Sequence, residues 1–226
     1  LVDGSGGGGS VKSLGTERRA FVPGKPGGEH GGPNLATGPV VSCCLGSVAG
    51  LGAARVVTSH YSVMVKGTSQ LFVAGPPVVA RLGEDVDKET LGGSAIHTRN
   101  GVVDDEVASE TEAFERVRRF LSYLPSSVDE LPPRGATDDA PTRREESLLS
   151  AIPRERRKVY KVRSIIDAVV DRDSWFELGR YNGRSAVTGL ARLDGRPVAV
   201  LANDPYFYGG GWTASASEKV TRFVDL

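Results

Sequence analysis

The chain has 226 residues, 28 of them Lys or Arg and 28 Asp or Glu, so its formal net charge is zero. Without a basic surplus it does not fit a nucleic-acid binder working through a positive face, or a polybasic protein of the membrane surface. No apolar run reaches the roughly 20 residues that a membrane-spanning helix needs.

In chain order, Leu1-Val2 reads as the end of a buried strand that runs into GSGGGG, residues 4 to 9. Lys12 to Pro39 has few apolar residues among many Gly and Pro, and is expected to be loop or short helix. PVVSCCLG is an apolar run expected as a buried strand. SVAGLGAARVVTSH passes from small residues into a helix start; YSVMV is the next strand and QLFVAG a further short one. Ser109 stands three residues before Glu112, the capping-box spacing. Ala113, Phe114, Val117, Leu121 and Leu124 then recur at helical spacing until Pro125 stops the run.

Residues 125–158 are rich in Pro and charge and poor in apolar side chains, as in an interdomain connector, and the run ERRK near its end reads as a solvated face. A second unit begins near Val159. VRSIIDAVVD is expected as a helix with Ile165, Ile166, Val169 and Val170 inward, and SWFELG as a strand. AVTGLARLDGRPVAVLAND reads as two strands around Asp194-Gly195, a strong hairpin signal. FYGGGW is another glycine cluster. Ser215 and Glu218 have capping-box spacing ahead of Val220, Phe223 and Val224. With a start inside a strand and an end inside a helix, the chain is read as a fragment.

Familiar catalytic constellations are absent: there is no HExxH, GxSxG or GxxxxGK[ST]. Cys43 and Cys44 are adjacent and apolar-flanked, as small buried residues in a reducing setting would be. His30, His60 and His97 have no metal-ligand spacing with them. What remains is GSGGGG and GSVAGLGAA, residues 46 to 54, each placed after an expected strand. Such stretches serve as tight turns, or expose successive N–H groups as an oxyanion hole at a strand-to-helix turn. Residue types alone leave both readings open.

The order of motifs resembles a family. LVDGSGGGGSVKSLG, LGSVAGLGAA, VMVKGTSQLFVAGPPVV, GEDVDKETLGGSAIHTRNGVVDDE and RRFLSYLPSS, then SIIDAVVDRDSWFELG, AVTGLARLDGRPVAVLANDP and SEKVTRFVDL, resemble the carboxyltransferase subunits of biotin-dependent acyl-CoA carboxylases. The likeness covers nearly the whole chain. It implies an α/β chain of crotonase/Clp-like ββα superhelix: residues 1–124 as a partial N-terminal, acyl-CoA-binding domain, 125–158 as connector, and 159–226 as the start of a second, similar, biotin-side domain. It also implies the reaction, transfer of a carboxyl group from carboxybiotin to the carbon alpha to a thioester, with two enolates each held by an oxyanion hole and no side-chain base.

By position, the family's Ala-Gly-Gly turn falls on Ala49-Gly50-Leu51, which implies the N–H groups of Gly50 and Leu51 as one oxyanion hole, with Ala49 and Gly52 beside the acyl-CoA. Leu51 departs from the family's glycine and narrows the pocket while keeping its N–H. Gly6 and Gly7 are implied to line the acyl-CoA pocket, which makes GSGGGG a native substrate-facing loop. Gly209 and Gly210 are implied on the biotin side, with the second oxyanion hole beyond Leu226. His97 is read as fixing a loop by hydrogen bonds, and Lys66 and Arg55 as solvent-facing cations that could meet CoA phosphates.

The implied co-substrates are carboxybiotin on a carrier protein and a coenzyme A thioester. The implied partners are biotin carboxylase, its carrier, and further copies of the chain as dimers and a hexamer, in the cytoplasm or mitochondrial matrix. Three rival readings differ from this one. A Clp-type serine peptidase needs a serine where Gly50 stands, leaving His60 a base without a nucleophile. An acyl-CoA decarboxylase subunit would use the same enolates in reverse. An inactive scaffold has only Leu51 and the long glycine loop in its favour.

Overall fold

The computed structural model describes residues 35–140 and 142–226; Gly6, Gly7 and the opening glycine stretch lie outside the described residues. Strands β1 (Val41–Cys44), β3 (Tyr61–Val65) and β5 (Asp105–Val107) form a parallel sheet in the order β1-β3-β5. The central strand β3 is buried along its whole length. A parallel strand covered on both faces reads as a continuous apolar run rather than an alternating one, which is why YSVMV is recognisable. A second, two-stranded parallel sheet pairs β2 (Ser47–Ala49) with β4 (Gln70–Phe72).

The first two turns of chain each give a strand to each sheet before their helices, and the third gives β5 alone before its helix. Helix α1 (Leu51–Thr58) follows β2. The short helices α2 (Pro76–Val79), α3 (Lys88–Gly92) and α4 (Ser94–Arg99) follow β4, and α5 (Glu110–Leu121) follows β5. The result is a ββα superhelix. QLFVAG shortens to Gln70–Phe72, and the strand β2 lies within a segment expected only to lead into a helix.

Ser109 caps α5 as expected, its Oγ accepting from the Glu112 N–H at 3.2 Å. The reciprocal arm is displaced by one residue, because Glu112 Oε2 accepts from the Ala108 N–H. The inward face also differs from expectation. Ala113 and Phe120 are fully buried, whereas Phe114 and Leu121 are exposed. The core below α5 is set by β3 and the second unit, and Phe120 rather than Phe114 faces it.

Helix α6 (Leu148–Ala151) lies in the connector; in the second unit α7 (Val162–Val169) precedes β6 (Phe176–Leu178), β7 (Ala186–Leu193) and β8 (Arg196–Asn203), an antiparallel sheet in that order, and α8 (Ala214–Val224) follows. Asp194 and Gly195 have φ of 51° and 73°, the left-handed pair that a two-residue hairpin turn requires. On α7 the buried residues are Val162 and Ile166, while Val169 points to solvent and Ile165 is half-buried. The cap of α8 is Thr213, whose Oγ1 accepts from the Ala216 N–H at 3.2 Å. Ser215 sits inside the helix, so the capping-box reading of Ser215 and Glu218 was two residues late, and Val224 is exposed.

The two units share a core. Tyr61 stacks on Phe120 with centroids 4.9 Å apart, and Phe176 of β6 meets Tyr61 edge-on at 5.5 Å. Leu178 and Leu190 join the same cluster. Arg222 of α8 reaches the Ser59 carbonyl at 3.1 Å and Asp104 at 2.9 Å.

The connector is tied down as well. Gly135 N–H donates to the Gly195 carbonyl at 2.8 Å, and Arg134 reaches the Asp194 carbonyl at 2.9 Å. Arg143 is held by Asp139, Glu145 and the Val170 carbonyl. The ERRK run stays exposed, with Lys158 paired to Glu155 at 3.0 Å.

Candidate active site

The turn from β2 into α1 has the properties of an anion cradle. Strand β2 runs parallel to β4 in the register Ser47 with Gln70, Val48 with Leu71 and Ala49 with Phe72. Gly50 then turns the chain with φ 61° and ψ −127°, a conformation closed to residues with a Cβ. A Cβ there would touch nothing within 4 Å, so the requirement is for the dihedral angles and not for space. From that turn α1 starts with no side-chain cap and no acidic residue in its first turn.

The first N–H groups of a helix have no partner inside it. Here Ala54 N–H closes the first helical bond, to the Gly50 carbonyl at 3.1 Å. The N–H groups of Leu51, Gly52 and Ala53 meet no acceptor among the described residues. The helix dipole adds a positive field at the same point. Gly52 and Ala53 are buried, while the Leu51 side chain is 63% exposed at the mouth.

Gly50 takes a different part from the one expected of it. Its N–H donates to the Phe72 carbonyl at 3.2 Å and so extends the β2–β4 pairing. The free donors begin one residue later, at Leu51 and Gly52. Ala49 is the last residue of β2, half-buried beside the turn.

Residues from β4 and the α3–α4 segment back this turn. His97 Nε2 lies 2.7 Å from the Leu71 carbonyl. Gln70 is buried between Ser47, whose Oγ–H donates to Gln70 Oε1 at 2.6 Å, and Glu89, which accepts from Gln70 Nε2 at 3.2 Å. Sequence reasoning picked out His97 as a loop fixer and missed Gln70, since one glutamine at a strand start carries no local signal. Lys66 is half-exposed, 3.5 Å from the buried Glu106, and Arg55 lies in the last turn of α1, away from its N-terminus.

In the second unit Gly209 and Gly210 lie in a 3₁₀ turn with Tyr208, all three at positive φ. Gly210 is buried, donates to the Phe207 carbonyl at 2.9 Å, and leaves only 3.2 Å between a Cβ and that of Asn203. Gly209 has open space above it. Tyr206, Tyr208 and Trp212 are exposed around the turn.

A cleft of about 580 Å³ opens at the other end of α1, lined among others by Ser59, His60, Glu218 and Arg222. Ser59 and His60 form no nucleophile–base pair. Ser59 Oγ–H donates to the Val56 carbonyl at 2.7 Å, and His60 Nδ1 accepts from the Val40 N–H at 2.9 Å. Burial lowers the His60 pKa, while the Asp104 carboxyl behind it is pushed up by burial against the opposing pull of Arg222.

The family model for the carboxyl transferase domain matches residues 36–226. The methylmalonyl-CoA decarboxylase subunit alpha of Veillonella parvula is 34% identical over 188 residues, covering 82% of this chain and 37% of that protein. The propionyl-CoA carboxylase carboxyltransferase subunit of Haloferax mediterranei is also 34% identical over 188 residues, covering 82% of this chain and 36% of that one. A solved structure of transcarboxylase 12S, described as a hexamer with hydrolysed methylmalonyl-coenzyme A bound, superposes with a TM-score of 0.80 at 26% identity, over 86% of this chain and 38% of its own. The chain thus spans less than two-fifths of the relatives it matches.

Proposed function

The chain belongs to the carboxyl transferase family, whose crotonase-like fold it has, and on that footing we propose that it is part of the carboxyltransferase of a biotin-dependent acyl-CoA carboxylase. The protein would move a carboxyl group from carboxybiotin to the carbon alpha, or vinylogous, to a coenzyme A thioester. The observation that carries this reading is the start of α1: three N–H groups without acceptors among the described residues, on a helix with no acidic residue in its first turn.

Such a site suits a thioester oxygen that gains negative charge as an enolate forms. Donors aimed where charge develops favour the transition state over the ground state. In this reading Leu51 and Gly52 N–H hold the oxygen, Gly50 sets their direction, and the Leu51 side chain limits the acyl group. Ala49 and Gly52 border the thioester, and Gly6 and Gly7 remain proposed contacts of the acyl-CoA. Carboxybiotin supplies the activated carboxyl group. On its side Gly209, with open space above it, is the proposed contact, and Gly210 serves by shaping the turn.

The proposed partners are a biotin carboxylase, its biotinylated carrier and further copies of the same chain, in the cytoplasm or a mitochondrial matrix. Among the described residues no helix is long and apolar enough to cross a membrane. A second reading, a decarboxylase subunit that removes the carboxyl group, is favoured by the equal identity to the Veillonella protein. The test takes the full-length protein with biotin carboxylase, biotinylated carrier, ATP and labelled bicarbonate, and offers acetyl-, propionyl-, 3-methylcrotonyl- and geranyl-CoA. Label is expected in one acyl-CoA. No uptake with any of them, together with release of carbon dioxide from methylmalonyl-CoA, would favour the decarboxylase.

A further inference from the structure

We propose that His97, with Gln70, is a positioning residue that aims the oxyanion donors of α1 by holding β4 from behind; the proposal rests on the function given above. The donors Leu51 and Gly52 are directed by Gly50, and Gly50 is held through its N–H by the Phe72 carbonyl at 3.2 Å. The orientation of the hole therefore depends on where β4 lies. Yet β4 is three residues long, and in its sheet β2 is its one strand partner among the described residues. A strand that short does not hold its own place.

What holds it comes from the LGGSAIH segment. A carbonyl can only accept, so His97 Nε2 carries the proton and donates to Leu71, 2.7 Å away. Nδ1 is buried and without a partner among the described residues. The arrangement forgoes one of the ring's two hydrogen bonds and keeps the one to β4. Gln70 links β2 to α3 through Ser47 at 2.6 Å and Glu89 at 3.2 Å, and forms an isolated bridge with Gly93. Gly92 lies so close that a Cβ would run into the Leu71 carbonyl and come within 2.7 Å of the Phe72 ring. Leu71 is thus gripped by His97 and Gly92, Gln70 by Ser47, Glu89 and Gly93, and Phe72 passes the constraint to Gly50.

A small rotation of the turn changes the pull on a developing enolate oxygen more than it changes binding of the neutral thioester. His97→Ala should therefore lower kcat about tenfold to a hundredfold and leave KM within about twofold, the upper end being what a misplacement of about 1 Å produces. His97→Gln, whose amide can donate in the same direction, should recover much of the loss. Gln70→Leu should behave as His97→Ala does, and serves if His97→Ala does not fold. Arg99→Ala, on the same helix but bonded to the Ala95 carbonyl, should leave kcat unchanged.

The reading that separates positioning from general loosening is the infrared stretch of the ¹³C-labelled thioester carbonyl of whichever acyl-CoA takes up label, bound to the full-length protein. Donors at the oxygen shift it to lower frequency. That shift should shrink in His97→Ala and return in His97→Gln, with folding checked by circular dichroism. A wild-type shift retained in full by His97→Ala and Gln70→Leu, with unchanged kcat, overturns the role of His97 while the proposed function stands. A wild-type spectrum with no shift overturns the proposed function and this role with it.

Discussion

Phe176→Ala should weaken both halves of the chain together. Phe176 is fully buried on β6, and its ring neighbours belong to the first unit: Tyr61 at 5.5 Å, Phe120 at 6.2 Å and Tyr123 at 6.1 Å. The Arg116 guanidinium lies over its face at 4.0 Å and is paired with Asp105. Removing a buried Phe ring costs about 3–5 kcal/mol, and the edge-on pair with Tyr61 places this site toward the upper part of that range. For a chain of this size about 4 kcal/mol corresponds to a fall in Tm of roughly 8–16 °C. Both tryptophans, Trp175 and Trp212, lie in the second unit, so their fluorescence follows that half, while amide exchange along β3 follows the first. Both signals should move by the same free energy. If tryptophan emission reported a large loss while β3 kept its wild-type protection, the shared core would not couple the units and the reasoning would fail.

Gly50→Ala should lower stability by about 1–3 kcal/mol, the cost of a side chain in a glycine-only region, since no clash awaits it. Gly46→Ala, also in open space but at no positive φ, should leave the Tm unchanged; equal effects of the two in thermal melts would contradict the dihedral argument. Lys219 is 9% exposed and donates to the Ala186 carbonyl at 2.7 Å, and burial lowers its pKa from 10.5 to about 8. Between those values the unfolded chain keeps a proton that the folded chain has released. This group's contribution therefore makes stability rise with pH from about 8 to about 10.5, by on the order of 3 kcal/mol. Lys219→Met should lose that rise, so urea midpoints of wild type and variant, compared at about pH 7.5 and about pH 10, should diverge; a constant difference would refute the assignment.

Much of the fold was legible where local signals and tertiary packing agree. β1 and β3 are continuous apolar runs, and Asp194-Gly195 is a turn that its own dihedral angles demand. The strand β2 was not legible, because Ser47–Ala49 is half-exposed and exists by pairing with a strand more than twenty residues on. The faces of α5 and α7 were misjudged for a related reason. Both helices carry more apolar residues than one face holds, and the partner that selects Phe120 over Phe114, or Val162 over Val169, lies elsewhere in the chain. Thr213 and Ser215 are equally good caps by type, and the backbone chose the earlier one.

At the candidate site the glycine turn was visible in Ala49-Gly50-Leu51, but which amides stay free was not. That depends on the Phe72 carbonyl, which no spacing rule places beside Gly50. The support from Gln70 was silent for the same reason, and Gly6 and Gly7 lie outside the described residues.

The connector's hold on the hairpin has a consequence for how such a sequence can drift. Gly135 N–H meets the Gly195 carbonyl, and a Cβ on Gly195 would run into the Gly135 carbonyl in return. Turn geometry alone would admit asparagine at the second position of the hairpin. Here that freedom is removed by a segment sixty residues upstream, whose charged and proline-rich composition resembles unconstrained chain. The composition of the connector can change widely, but position 195 must stay glycine for as long as the Gly135 carbonyl lies against it.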